Sequence, residues 1–145
     1  MAGSVYTYDS SRVVIDFDGN RITGTMEGTF VEADRSADAV MIHVGEDGQV
    51  TRSINRDRSG TVTITLQQTS PGNEVLASYA KDDERDGSGV GTLTVTDLLG
   101  NTVISSPYAW VQKLPTAGYA KEVSGRQWVL ACSELEMEFS ESASV

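Results

Sequence analysis

The sequence predicts a mainly β protein, a two-sheet β-sandwich or barrel with one short flanking α-helix. Hydrophobic and polar residues alternate along most of the chain, which is the two-residue period of strands with one buried face. One stretch near the middle instead has the spacing of an amphipathic helix. The 14 glycines and 3 prolines among 145 residues suit a fold with many tight turns.

Two hairpins are predicted in the first part of the chain. In the stretch RVVIDFD the apolar side chains share one face, and Asp16 and Asp18 share the other. Residues 18–20, Asp-Gly-Asn, are typical of a hairpin turn. The stretches AVMIHV and QVTRSI flank a second turn at residues 46–48 and predict a second hairpin.

Three further stretches predict strands. GTVTITLQ and GTLTVTD alternate threonine with aliphatic residues, and β-branched side chains fit a pleated surface. TVISSPYAWVQ continues the pattern, with Pro107 expected at a bulge or an edge because it has no amide donor.

A helix is predicted at about residues 71–81. Ser70 is suited to the N-cap, Pro71 to the first helical position, and Glu74 to the positive end of the helix dipole. The apolar stripe consists of Val75, Leu76, Tyr79 and Ala80. The polar, glycine-rich stretch DDERDGSGVG is expected to form the loop that follows.

Residues 126–139 are expected to form one strand about 45 Å long. Its first half is apolar on both faces, whereas in its second half Glu134, Glu136 and Glu138 alternate with apolar residues. Three carboxylates on one face repel each other, so this face is expected to contact water. A solvated exterior and the wall of a channel explain the spacing equally well.

The formal net charge is −10, from 21 acidic and 11 basic residues. This balance argues against a nucleic-acid binder, which would carry a basic footprint. It favours a surface that keeps the protein soluble, or one that lets a polyanion move past. The arginines Arg52, Arg56 and Arg58 are clustered in residues 45–60, for which a solvated hairpin is the simplest interpretation.

No catalytic, metal or cofactor site is predicted. The one cysteine, Cys132, lies in an apolar run and is expected to be buried. The one histidine, His43, has no nucleophile or metal-ligand partner in the pattern, and DFDGN lacks the glycine and flanking helices of an EF-hand. With no signal peptide or membrane span in the pattern, we expect a soluble single domain, with a short arm at residues 1–8 and a flexible tail at residues 140–145.

The stretches TVTITLQQTSPGNEVLASYA and GTLTVTDLLGNTVISSPYAWVQKLPTAGYAKEVSGRQWVLAC resemble tail tube proteins of contractile-tailed bacteriophages. The order of elements carries the resemblance, which covers residues 5–139 and is firmest from Gly60 onward. It implies a two-sheet barrel or sandwich, shared in outline with type VI secretion tube proteins. It also implies hexameric rings that stack into a hollow tube, wrapped by a contractile sheath, through which DNA is delivered.

The resemblance implies roles for the charged residues. The candidate lumen-lining residues are Glu134, Glu136 and Glu138, followed by Asp16 and Asp18. The candidate inter-ring contacts are Arg52, Arg56 and Arg58. The expected partners are other copies of the chain, the sheath, tape measure, baseplate and terminator proteins, and DNA in transit without sequence-specific binding. The expected location is the virion tail, assembled in the host cytoplasm, with no cofactor and no membrane anchor.

Two alternatives remain open at this point. One is a tube ring of a type VI-like secretion system, which would have the same fold. The other is a β-sandwich binding module that presents exposed aromatic residues to a sugar or a protein partner. Tyr108, Trp110 and Trp128 are the candidates for such a surface, although core packing is expected for each of them.

Overall fold

The computed structural model describes Val5 and residues 7–99 and 102–139. The strands in this part of the chain are β1 (Val13–Phe17), β2 (Asn20–Ile22), β3 (Val31–Arg35), β4 (Val40–Val44), β5 (Val50–Ile54), β6 (Gly60–Gln67), β7 (Gly91–Asp97), β8 (Val103–Lys113), β9 (Gly125–Cys132) and β10 (Glu136–Glu138). A 3-10 helix spans Ser10–Arg12, and the α-helix α1 spans Gly72–Asp86. The predicted mainly β class with one flanking helix is confirmed. The predicted tail at residues 140–145 lies outside the described residues.

Eight of the strands form one antiparallel sheet. Its order is β2-β1-β7-β8-β9-β6-β3, and β10 pairs with β8. The chain that follows β2 crosses to β6, where Thr25 forms an isolated bridge with Leu66 and the Met26 amide donates to the Thr65 carbonyl at 3.0 Å. Because β2 and β6 are near opposite ends of the strand order, this short crossing requires the sheet to curl into a barrel. The second sheet is the β4–β5 hairpin.

The inner face of the barrel forms the hydrophobic core, as the alternating patterns predicted. The largest fully buried side chains include Phe17, Ile15, Ile64, Leu66, Leu76, Leu93, Leu130 and Leu135. Helix α1 contributes Leu76 to this core, and the Tyr79 ring packs edge-on against Phe17 at a centroid distance of 4.8 Å. Cys132 is buried, as predicted.

Helix α1 extends further than predicted, through the acidic stretch to Asp86. The charged residues do not stop the helix, because Arg85 pairs with Asp82 one turn earlier at 3.0 Å. The helix ends where Gly87 adopts a left-handed φ of 74° and donates its amide to the Asp83 carbonyl. At the start, the Ser70 hydroxyl accepts the Gly72 amide at 3.1 Å, one residue before the backbone N-cap, Pro71.

The prediction of a single strand over residues 126–139 is wrong. The chain forms β9 and β10, separated by three residues, and both pair with β8 in a register that is the same on the two sides of the break, Ala109 with Cys132 and Ser105 with Glu136. The break lies across from Pro107, which has no amide to donate to a ladder. Pro107 also lies in the β-bulge between β7 and β8, as predicted. No helix in the described part of the chain is long and apolar enough to cross a membrane.

Candidate functional site

The outer face of the barrel brings two of the predicted carboxylates into one cross-strand row. Asp16 on β1 pairs with Thr94 on β7, Thr94 pairs with Ser105 on β8, and Ser105 pairs with Glu136 on β10. All four residues alternate with core residues and therefore face away from the core. Three strand spacings separate the ends of the row, so that Asp16 and Glu136 are about 14 Å apart.

The three predicted glutamates differ in their surroundings. Glu138 is exposed on the same outer face as Glu136. Glu134 lies in the break between β9 and β10, and the Arg58 guanidinium is 3.8 Å from its carboxylate and 3.2 Å from that of Glu136. The side chains of Glu134 and Glu136 are 50% and 44% exposed. Arg58, predicted as an inter-ring contact, thus pairs within the subunit with two predicted lumen residues.

The prediction that Asp16 and Asp18 share one face is wrong. Asp18 is in the β1–β2 turn with a left-handed φ of 53°, which redirects its side chain towards α1. Its carboxylate accepts the Tyr79 hydroxyl at 2.5 Å, and this hydrogen bond is the main reason that the pKa of Tyr79 is raised. The Asp16 carboxylate accepts the Gly19 amide at 2.9 Å and stabilises the same turn.

Hydroxyl groups cover much of the outer face between the acids. The rows are Thr61, Thr63 and Thr65 on β6 and Thr92, Thr94 and Thr96 on β7. Their neighbours in the sequence are core residues, so the threonines project outwards. Glu32 and Asp34 on β3, which the sequence reasoning missed, are exposed on this face beside Thr63 and Thr61. The sequence signal for these two residues was the stretch VEADR, in which every second residue is acidic.

The β4–β5 hairpin has an exposed aliphatic face. The cross-strand pairs Val40–Ile54, Ile42–Arg52 and Val44–Val50 place five aliphatic side chains and one arginine on the same side. These aliphatic residues are between 43% and 73% exposed. The opposite side carries Met41, His43, Thr51 and Ser53. We name the first side the aliphatic hairpin face. The sequence predicted the hairpin and its arginines but not this face, because AVMIHV is apolar at most positions.

Arg52 and Arg56 are the two predicted contact residues that are available to a partner. Both are exposed, and within the described residues neither forms a side-chain hydrogen bond or an ion pair. Arg52 lies at the centre of the aliphatic hairpin face, opposite Ile42. A surface that matches it would be apolar with a carboxylate near its centre.

The aromatic residues do not form one binding surface. Trp128 is 3% exposed, and its indole N–H donates to Asn73 Oδ1 at 2.8 Å. It lines a cleft of about 330 Å³ beside α1, where the Arg126 guanidinium lies 5.4 Å from the Tyr119 ring centroid. Tyr108 is 61% exposed and Trp110 is half-buried on the outer face, so the expected core packing is wrong for both. The described residues contain no cluster of histidine, cysteine and carboxylate groups that could hold a metal ion.

The fold is shared with solved structures of an extracellular contractile injection system and of a prophage tube cap. The chain superposes with a TM-score of 0.69 on a chain of the sheath/tube terminator of the extracellular contractile injection system PVC, at 14% identity over 92% of this chain and 98% of that one. The TM-score is 0.66 with a chain of the PVC sheath–tube complex, at 14% identity over 92% of each chain. It is also 0.66 with the tube-terminating cap of the anti-feeding prophage, at 10% identity over 95% of each chain. At these identities the likeness shows the fold.

Sequence comparison shows the family. The chain is 27% identical over 139 residues to "Structural protein ORF10" of Pseudomonas phage KPP10, covering 90% of this chain and 80% of that protein. The profile of the bacteriophage PhiTE tail tube protein matches residues 18–139. The chain therefore belongs to the PhiTE tail tube protein family and is a structural subunit of a phage tail.

Proposed function

We propose that the chain forms hexameric rings, that these rings stack into the inner tube of a contractile tail, and that the tube conducts DNA. The role is structural rather than enzymatic. The sheath, terminator, tape measure and baseplate proteins are its proposed partners, and the virion tail, assembled in the host cytoplasm, is its proposed location. The similarity to chains of a sheath–tube complex and of a sheath/tube terminator supports this assignment.

The exposure of the aliphatic hairpin face is the observation that best supports self-assembly. A two-stranded hairpin is marginally stable alone in water, and in this hairpin every aliphatic residue on one face is left substantially exposed. Burying the exposed remainder of one such side chain contributes roughly 1 kcal/mol, so five contribute about 5 kcal/mol per hairpin before the cost of association. Repeated around a closed ring, a gain of this size favours stacking of one ring on the next.

The outer face of the barrel is the proposed lumen wall. The row from Asp16 to Glu136, with Glu138 beside it, gives this face carboxylates and hydroxyls. The carboxylates repel phosphate, whereas the hydroxyls are uncharged and do not repel it. Duplex DNA carries one negative charge per about 1.7 Å, and at physiological salt the wall acts over a Debye length of about 8 Å. The carboxylates therefore prevent adhesion at the wall and do not centre the DNA from a distance.

A variant pair on the hairpin tests assembly. Ile42→Asp places a charge on the aliphatic hairpin face, and because Ile42 is 67% exposed the barrel should fold normally. Thr51→Asp is the matched control on the other side of the same hairpin. In negative-stain microscopy we expect tubes from the wild type and from Thr51→Asp, and none from Ile42→Asp. Tubes of normal length from Ile42→Asp would show that the aliphatic hairpin face is not the contact.

A reconstruction of the tube tests the lumen assignment separately. The expected result is that Glu136 and Asp16 line the channel and that α1 lies away from it. Finding Glu136 on the outer, sheath-facing surface would refute the assignment while leaving ring formation intact.

A tube-terminating role is the second candidate. The observation that favours it is the fold similarity to a sheath/tube terminator and to a tube-terminating cap. The same micrographs distinguish the two roles, because a tube subunit polymerises into long tubes and a terminator forms single rings.

A further inference from the structure

The hairpin is connected to the barrel by a stalk of two legs, residues 36–39 and 55–59. Two backbone hydrogen bonds join the legs, from Ser36 N to Ser59 O at 3.0 Å and from Asn55 N to Ala39 O at 2.8 Å. In the described part of the chain neither β4 nor β5 pairs with a strand of the barrel. The position of the hairpin therefore depends on the contacts that hold the stalk.

The stalk is held at the break between β9 and β10. The Leu135 amide donates to the Arg58 carbonyl at 2.8 Å, and Arg35 Nε, at the foot of the first leg, donates to the Leu135 carbonyl at 3.0 Å. The Arg58 side chain adds the ion pairs to Glu136 and Glu134. Among the described residues, no other hydrogen bond or ion pair joins the stalk to a distant part of the barrel.

These contacts are of two kinds. Leu135 is fully buried in the core, so the backbone hydrogen bond to Arg58 is attached to a rigid position. The ion pairs are exposed to solvent, with the Arg58 side chain 55% exposed, and are therefore weak and sensitive to salt. Both kinds of contact belong to Arg58, whose carbonyl is fixed at Leu135 and whose side chain can be released from the carboxylates on either side of Leu135.

We propose that Arg58 is a latch that fixes the hairpin against the barrel in the free subunit, and that its release lets the hairpin move about Leu135. The latch joins the two proposed assembly surfaces, because its arginine belongs to the hairpin stalk and its carboxylates to the outer face. A neighbouring copy that competes for Arg58 or for Glu136 would change the hairpin position. Only this consequence for stacking rests on the proposed function, since the latch is a property of one subunit.

Distance measurement in the monomer tests the latch. Spin labels are attached to cysteines introduced at two exposed positions, Thr51→Cys on the hairpin and Lys113→Cys on β8. The native thiol of Cys132 is buried and does not compete for the label. Pulsed electron spin resonance then gives the distance distribution at concentrations where light scattering shows monomers. In Arg58→Gln we expect a second distance population, with the displaced fraction increased about two- to fivefold.

Arg56→Gln is the matched control, because Arg56 is exposed on the same leg and unpaired within the described residues. It should leave the distribution unchanged. The combined variant Glu134→Gln/Glu136→Gln should reproduce the effect of Arg58→Gln, and adding Arg58→Gln to it should change nothing more. Raising the salt to about 1 M should broaden the wild-type distribution and not that of Arg58→Gln.

Identical distributions for the wild type and Arg58→Gln would overturn the proposal, as would equal broadening in Arg56→Gln. Circular dichroism of each variant establishes that the barrel is folded. The outcome is independent of tube formation, so a wild type that makes no tubes would refute the proposed function and leave the latch to be decided by the distances.

Discussion

Gly60→Ala should destabilise the subunit, because a side chain at Gly60 would clash with β3 and with Leu135. A Cβ at this position would be 2.5 Å from the Asp34 carbonyl oxygen and 2.7 Å from Leu135 Cδ2. Carbon and carbonyl oxygen normally come no closer than about 3.3 Å, so β3 must move by about 0.8 Å. The carbonyl is part of the β3–β6 ladder and cannot rotate away.

Overpacking of this kind costs about 3 kcal/mol, which lowers the melting temperature by about 10 °C in a domain of this size. The measurement is thermal and urea unfolding followed by tryptophan fluorescence. Gly118→Ala is the control, since no atom lies within 4 Å of its Cβ, and it should behave as the wild type. A melting temperature for Gly60→Ala within about 2 °C of the wild type would refute the packing argument.

Two further substitutions test individual hydrogen bonds. Asp18→Asn should lower the pKa of Tyr79 towards its ordinary value of 10.0, because the hydrogen bond to the Asp18 carboxylate is the main reason that this pKa is raised. The pKa is measured from the ultraviolet difference absorbance between the protein and its Tyr79→Phe variant. The stability that this bond contributes is fully present below pH 10.0 and is lost as the pH rises through the higher folded pKa, so loss of stability nearer neutral pH would contradict the assignment. Trp128→Phe removes the donor to Asn73 and should cost about 1–2 kcal/mol in urea unfolding, whereas Trp110→Phe on the outer face should cost less than about 0.5 kcal/mol.

Much of the fold could be predicted because it depends on local patterns. The two-residue alternation in β6 and β7 predicted both the strands and their buried faces. Successive side chains of a strand point to opposite faces, so the face that carries the apolar residues must be the buried one. The turn at residues 18–20 followed from Asp-Gly, which tolerates positive φ at both positions. The order of these elements carried the resemblance to tail tube proteins, and the family comparison confirms that resemblance.

The errors arose where a distant residue decides the local structure. The break between β9 and β10 depends on Pro107 in the neighbouring strand, which no pattern within residues 126–139 contains. Asp18 does not share a face with Asp16, because the turn directs the Asp18 side chain towards Tyr79 on α1. The pairing of Arg58 with Glu136 could likewise not be predicted, because 78 residues separate the two in the sequence.

The ion pairs of Arg58 also change the charge that the proposed lumen wall would present to DNA. Together Glu134, Glu136 and Arg58 carry a single net negative charge, so the break contributes less repulsion than its two carboxylates suggest. Asp16 is about 14 Å from Glu136, which exceeds the Debye length of about 8 Å, and the two carboxylates therefore act separately. Between them lie the hydroxyls of Thr94 and Ser105, which carry no charge. A phosphate that passes this proposed lumen wall would meet isolated carboxylates with an arginine beside each, Arg21 opposite Asp16 and Arg58 at Glu136. The nearby carboxylates reduce the attraction of both arginines for the phosphate.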